Sequence, residues 1–229
     1  MTGLSGGIHG NQIADITPLG GLVNLTSLHL GNSQITDLSP LSNLTSLTRL
    51  TFHISQVSDI TPLANLTTLE HLSLNGHQIA DISALAGLSN LITLDLSVNQ
   101  ITDITPLANL ANLTELNLHS NSITNIATLT ALTDLVHLNL SANQIDNLTP
   151  LSGLHNLTNL NLGNNWHIID FSPLTNLANL EHLELWNTNI VDLSPLANLS
   201  NLRNLSLPPN NIIIDWSPVS HVETVHGRP

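Results

Sequence analysis

The chain has no cysteine, no tyrosine and no lysine among its 229 residues, and only three arginines. Without cysteine there is no disulfide framework, no thiolate nucleophile and no thiolate metal site. Three cations are too few to neutralise a run of phosphates, so nucleic acid and anionic membranes are excluded as natural partners. Apolar runs are only a few residues long, which excludes a bilayer-spanning segment. Met1–Gly10 lacks both a basic and an apolar signal-peptide region. Aromatics make up 2% of the chain and charged residues 8%, with a formal net charge of −13. Leucine (48) and asparagine (30) fill the space instead, and so much leucine with so little charge excludes a solvated disordered chain.

The leucines are periodic. Leu25, Leu47, Leu69, Leu91, Leu113, Leu135 and Leu157 recur every 22 residues, and Leu180 and Leu202 follow at intervals of 23 and 22. Each opens the pattern L-x-x-L-x-L-x-x-N-x-I-x-D-I-T-P-L-x-N-L. Nine copies occupy residues 25–224, a partial copy precedes them (3–24), and a stub follows (225–229). In L-x-x-L-x-L the alternation predicts a short strand with leucine on one face and polar residues on the other. Asn at the ninth position (Asn11, Asn99, Asn121, Asn143, Asn165, Asn210) is expected to satisfy backbone groups of adjacent coils. Ser33, Ser55, His77 and Thr188 replace it elsewhere and should weaken the ladder.

The second half of each copy predicts a turn and a short helical return. Asp at position 13 can bond nearby backbone N–H groups. Thr17-Pro18, Ser39-Pro40, Thr61-Pro62, Thr105-Pro106, Thr149-Pro150 and Ser194-Pro195 then read as an N-cap followed by proline at the first helical position. At most two turns fit before Asn43, Asn65, Gly87 or their equivalents, which are expected to end the helix in a left-handed conformation. Pieces this short are expected to be 3₁₀. No copy can bury its leucine face alone, so residues 1–229 are expected to form a single domain. The fold class is α/β, a leucine-rich repeat solenoid (a horseshoe) with parallel strands on the concave face and 3₁₀ returns on the convex face.

L-x-x-L-x-L-x-x-N-x-I with D-I-T-P-L-A-N-L in a 22-residue period resembles the leucine-rich repeats of bacterial internalins, over almost the whole chain. It is also similar to the 22-residue repeats of eukaryotic phosphatase-regulatory proteins. The resemblance implies a protein-binding scaffold that is not an enzyme through its repeats. Internalins add a helical N-terminal cap and a following immunoglobulin-like domain, so the sequence is expected to be a piece of a longer protein. It would then be cell-surface or secreted, or cytoplasmic if complete. The alternatives are an intracellular regulatory or scaffold subunit, or the targeting arm of a larger surface protein or effector.

Binding residues are sought at strand positions 3, 5 and 7, which face away from the leucine core. These positions are rich in His and Asn and poor in charge, which suits a hydrogen-bonded protein or glycan ligand. Seven histidines (His9, His29, His53, His71, His119, His137, His182) fall there. Without metal-ligand spacing they are read as polar strand residues, with pH-dependent binding as the alternative. Copy 7 carries an extra residue near Trp166, and copy 8 places Trp186 beside Glu184 and His182. Tryptophan is enriched at interaction hot spots. The candidate partner-binding set is therefore Trp186, His182, Glu184, Trp166, Asn161, Asn139, His137, Glu115 and His119. Trp216 and Phe171 are expected in the core. No catalytic residue, cofactor or metal ligand is expected, and open strand edges could drive self-association.

Overall fold

The computed structural model describes residues 3–6, 13–31, 34–53, 56–209 and 213–228. His9, Asn11, Ser33, Ser55 and Asn210 lie outside them. The chain divides into two compact units, Met1–Leu113 and Thr114–Pro229, the boundary falling just after the opening leucine of a repeat.

In the first unit, strands β1 (Gly3–Gly6), β2 (Ser27–Gly31), β3 (Arg49–His53), β4 (His71–Ser73) and β5 (Thr93–Asp95) pair in parallel, each with the next. The second unit repeats the plan with β6 (Glu115–Asn117), β7 (His137–Asn139), β8 (Asn159–Asn161), β9 (His182–Glu184), β10 (Asn204–Ser206) and β11 (Thr224–His226). The register aligns equivalent positions: Leu50 pairs with Leu72, and Leu138 with Leu160. Within each unit the strand leucines therefore stack into a buried layer: Leu28, Leu50, Leu72 and Leu94 in the first, and Leu116, Leu138, Leu160, Leu183 and Leu205 in the second. Return leucines such as Leu63, Leu85, Leu151 and Leu174 are fully buried against it. Every return among the described residues is 3₁₀, of three to five residues (Thr61–Leu63, Thr105–Asn109, Ser194–Leu196). Each unit is thus a leucine-rich repeat solenoid, as the periodicity predicts.

The asparagine ladder forms in full at Asn99, Asn143 and Asn165. Asn143 Nδ2 donates to Leu118 O in the preceding coil (2.9 Å) and to Leu140 O in its own (3.0 Å), while its Oδ1 accepts from Ile123 N–H (3.0 Å). Asn165, fully buried, makes the equivalent bonds to Leu140 O, Leu162 O and Ile145 N–H. The substitutes bond differently. Thr188 donates only within its own coil, to Leu185 O (2.7 Å). At the His77 position a ring nitrogen lies 3.0 Å from Phe52 O in the preceding coil, and the imidazole stacks on the Phe52 ring.

Three local expectations are corrected. The Ser or Thr before proline is the first residue of the 3₁₀ turn and does not cap it with its side chain. The cap comes from Asp two residues earlier, whose Oδ1 accepts the Ser/Thr backbone N–H: Asp59 from Thr61 (2.9 Å), Asp192 from Ser194 (2.8 Å). Asn147 does the same for Thr149 without a charge. Those bonds hold the Asp59 and Asp192 carboxyls below the usual carboxylate range: the Thr61 hydroxyl contributes most at Asp59, the Ser194 backbone N–H at Asp192.

Left-handed residues do not end the returns either. They occupy position 8, just past the strand: Gly76, Val98, Ser120, Ala142, Asn164 and Asn187, with φ between 53° and 73°. There the chain turns while its N–H reaches the next coil, Ser120 N–H bonding Ser141 O (2.9 Å) and Ala142 N–H bonding Gly163 O (2.8 Å). The third correction concerns Trp216, which is half-exposed rather than core. Its indole N–H bonds Ile213 O and the Arg228 guanidinium lies 5.2 Å from its ring centroid, a cation–π arrangement. Phe171 is buried as expected.

Candidate functional site

Position 5 closes most of the strands. In four copies it is Asp or Asn, and the short side chain bends back to accept the N–H two residues on. Asp95 takes Ser97 (2.9 Å), Asn117 takes His119 (3.1 Å), Asn139 takes Ser141 (3.0 Å) and Asn161 takes Gly163 (3.0 Å). This local bond fixes the backbone just past the strand. Asn139 and Asn161 therefore have a structural task in addition to facing solvent.

Copy 8 departs from this rule by placing Glu184 at position 5. One methylene longer, the carboxylate reaches outward, and its Oε2 accepts the Asn161 amide (3.0 Å) and the Trp186 indole N–H (3.1 Å). The Trp186 ring lies directly over Gly163 of the neighbouring coil. A Cβ at that glycine would stand 2.3 Å from Cε2 and 2.4 Å from Nε1 of the indole, so only glycine admits the ring. Trp186 stays 36% exposed. It is a platform seated on backbone below and tethered at its edge by a charge-assisted hydrogen bond. Sequence reasoning singled out Trp186 and Glu184 but missed Gly163. The signal was available: Gly163 and Trp186 are consecutive members of the position-7 column.

The other candidates fall into separate groups. His182 precedes Glu184 by two residues on β9, and its Nδ1 accepts from the Asn204 amide (2.9 Å). Glu115 and His137 are cross-strand neighbours and both are exposed. His119 Nδ1 lies 2.7 Å from Ser141 Oγ, whose hydroxyl donates to Asn139 Oδ1 (2.7 Å). Trp166 sits apart, in the turn after Asn165 and not on a strand. It is 57% exposed, its ring packs on that of His167, and its carbonyl accepts the Asn189 amide. In the first unit, the rings of His29 and His53 meet edge to face at 5.6 Å. No group of three or more His, Asp or Glu among the described residues could hold a metal ion. No described helix is long and apolar enough to cross a membrane.

The chemistry of this face is polar contact around one aromatic platform, on a scaffold whose interior is mostly leucine and isoleucine. Known proteins share that scaffold. The family model "Leucine Rich repeats (2 copies)" matches residues 7–43, 23–65, 67–109, 89–131, 111–153 and 155–198. An internalin (inlF) of Listeria monocytogenes is 43% identical, with a TM-score of 0.87 over 93% of this chain. This chain spans 64% of that structure's length. Internalin C2 of the same species is 44% identical over 81% of this chain and 82% of its own, with a TM-score of 0.79. A leucine-rich repeat protein of Leptospira interrogans shares the fold at 22% identity, with a TM-score of 0.74 over 92% of this chain and 62% of its own. No curated protein matches the sequence. With its periodicity, 3₁₀ returns and asparagine ladder matched by this degree of identity, the chain belongs to the leucine-rich repeat family and, within it, to the bacterial internalin type.

Proposed function

We propose that this protein is a recognition scaffold that binds a protein partner on the strand face of its second unit, with Trp186 at the centre and Glu184, Asn161 and His182 around it. The seat of Trp186 on Gly163 carries this reading. An exposed indole that is already immobilised loses little conformational freedom on binding, which is what an interaction hot spot requires. The repeat supplies rigidity and leaves strand positions 3, 5 and 7 free to vary. Glu115, His137, His119 and Asn139, on the strands and strand ends of coils further along the face, extend the polar surface available to a partner. The reading is binding rather than catalysis, because the serine that lies beside a histidine, Ser141 next to His119, donates its hydroxyl proton to Asn139 Oδ1 and is not activated by the imidazole.

The test is capture of a partner by the intact chain, followed by affinity measurement for Trp186→Ala, His182→Ala and a control, Asn198→Ala, on the turn after a return. Trp186→Ala should weaken binding at least tenfold, about 1.4 kcal/mol, with Asn198→Ala unchanged. Equal affinities for wild type and Trp186→Ala would overturn the assignment. If only a glycan is captured, the partner class is wrong while the site stands or falls on the same variants.

A further inference from the structure

Between the buried apolar residue that closes the ladder and the capping Asp or Asn, each copy has one solvent-facing residue. It is Thr36, Ser58, Ala80, Thr102, Thr124 and Asp146 in six copies, all exposed. In the last three it is Ile169, Val191 and Ile214, at 84%, 52% and 93% exposure. The register is secured on both sides. Ile168, Ile190 and Ile213 are buried just before. Asp170, Asp192 and Asp215 follow, taking the N–H of Ser172 (2.9 Å), Ser194 (2.8 Å) and Ser217 (2.9 Å).

The turn explains the aspartates. It does not explain the aliphatic residues, since six copies fold with Thr, Ser, Ala or Asp in their place. Three large apolar side chains in equivalent places of successive coils form an exposed apolar row of the kind that marks an interaction site. Their neighbours set its electrostatics: each aliphatic side chain is followed by a carboxylate.

We propose that Ile169, Val191 and Ile214, with the carboxylates of Asp170, Asp192 and Asp215 beside them, form a second docking surface for a partner segment that alternates apolar with basic side chains. Charge complementarity selects this occupant. Hydrogen bonds from Ser172, Ser194 and Ser217 hold the three carboxyls below their ordinary range, so the row is anionic at neutral pH. A second copy of the chain offers only three arginines and no lysine against it. An anionic bilayer is repelled. The surface is independent of Trp186, which lies on the strand face.

The test uses the full chain and a fluorescent nine-residue peptide alternating valine and lysine, with serine–lysine and valine–glutamate peptides as controls, read by anisotropy. The valine–lysine peptide should bind, and both controls should bind at least tenfold more weakly. The triple variant Ile169→Thr, Val191→Thr, Ile214→Thr should lose at least tenfold in affinity. It should also melt as wild type does, because threonine already serves at positions 36, 102 and 124. Trp186→Ala should leave the affinity unchanged. Failure of the valine–lysine peptide to bind overturns the proposal. So does equal binding of the serine–lysine peptide, or full affinity in the triple variant. Sedimentation showing self-association that the triple variant abolishes would also overturn it, in favour of a second copy. Loss of affinity in Trp186→Ala would assign the peptide to the strand face instead.

Discussion

Replacing Asn165 with alanine should destabilise the second unit by about 3 kcal/mol. Asn165 is fully buried and joins two coils. Its Nδ2 donates to Leu140 O (3.0 Å) and Leu162 O (2.9 Å), and its Oδ1 accepts from Ile145 N–H (3.1 Å). Alanine removes these bonds and a longer one to Gly163 O (3.4 Å), which keeps the Ala142 N–H. Leu140 O keeps a second donor in Asn143. Leu162 O and Ile145 N–H lose their side-chain partner inside the buried core. Each buried group left unpaired costs about 1–3 kcal/mol, giving about 2–6 kcal/mol in all, with the lower half expected once the coil relaxes. Asn165→Thr separates the two halves of the effect. Threonine can repeat the bond Thr188 makes to its own coil, which leaves Ile145 N–H as the main loss, about 1–3 kcal/mol. Urea denaturation followed by circular dichroism reads both variants against wild type. The expected order is wild type, Thr, Ala, with an unchanged m-value. A loss below 1 kcal/mol in Asn165→Ala, or Thr as damaging as Ala, would refute the view that the ladder ties coil to coil.

Gly163→Ala should expel Trp186 from its seat, because the new Cβ would overlap the indole. Tryptophan emission should become more accessible to acrylamide, and partner affinity should fall as in Trp186→Ala; unchanged quenching would refute the seating. Val98 holds φ 57°, a strained value for a β-branched residue. Val98→Asn should therefore raise stability by about 0.5–1 kcal/mol, measured by thermal melting. The Asp170, Asp192 and Asp215 carboxyls have folded pKa values below their unfolded value of about 3.9. Their stabilisation is thus complete above about pH 4 and lost as pH falls through the lower folded value. Asp192→Asn keeps the cap, as Asn147 does for Thr149, so its melting temperature should fall less than that of wild type between pH 5 and 3. We also propose that residues 1–229 unfold as one domain, so urea should produce one transition, and two resolved transitions would contradict it.

Sequence periodicity made the interior legible because each leucine position has one physical destiny. The 22-residue frame assigns Leu25 through Leu202 to the core, and all nine are buried there. The turns were less legible for reasons of chemistry. Ser or Thr before proline has the composition of an N-cap, yet it is the first residue of the turn, and Asp two residues earlier accepts its backbone N–H. The left-handed position holds Val98, Ser120 and Ala142, residues with no preference for it. The N–H bond from that position to the next coil imposes the conformation, and single-chain propensity carries no trace of it. At the site, Trp186 and Glu184 were visible as departures from their columns, while the tether from Asn161 and the seat on Gly163 depend on which coil lies beside which.

The central claim is that an immobilised Trp186 on the strand face recognises a partner. The most direct measurement is the partner's Kd for wild type, Trp186→Ala and Asn198→Ala, with melting curves confirming that all three are folded. A rise of at least tenfold confined to Trp186→Ala is the predicted result. Three indistinguishable affinities, or a loss in Asn198→Ala instead, would contradict it.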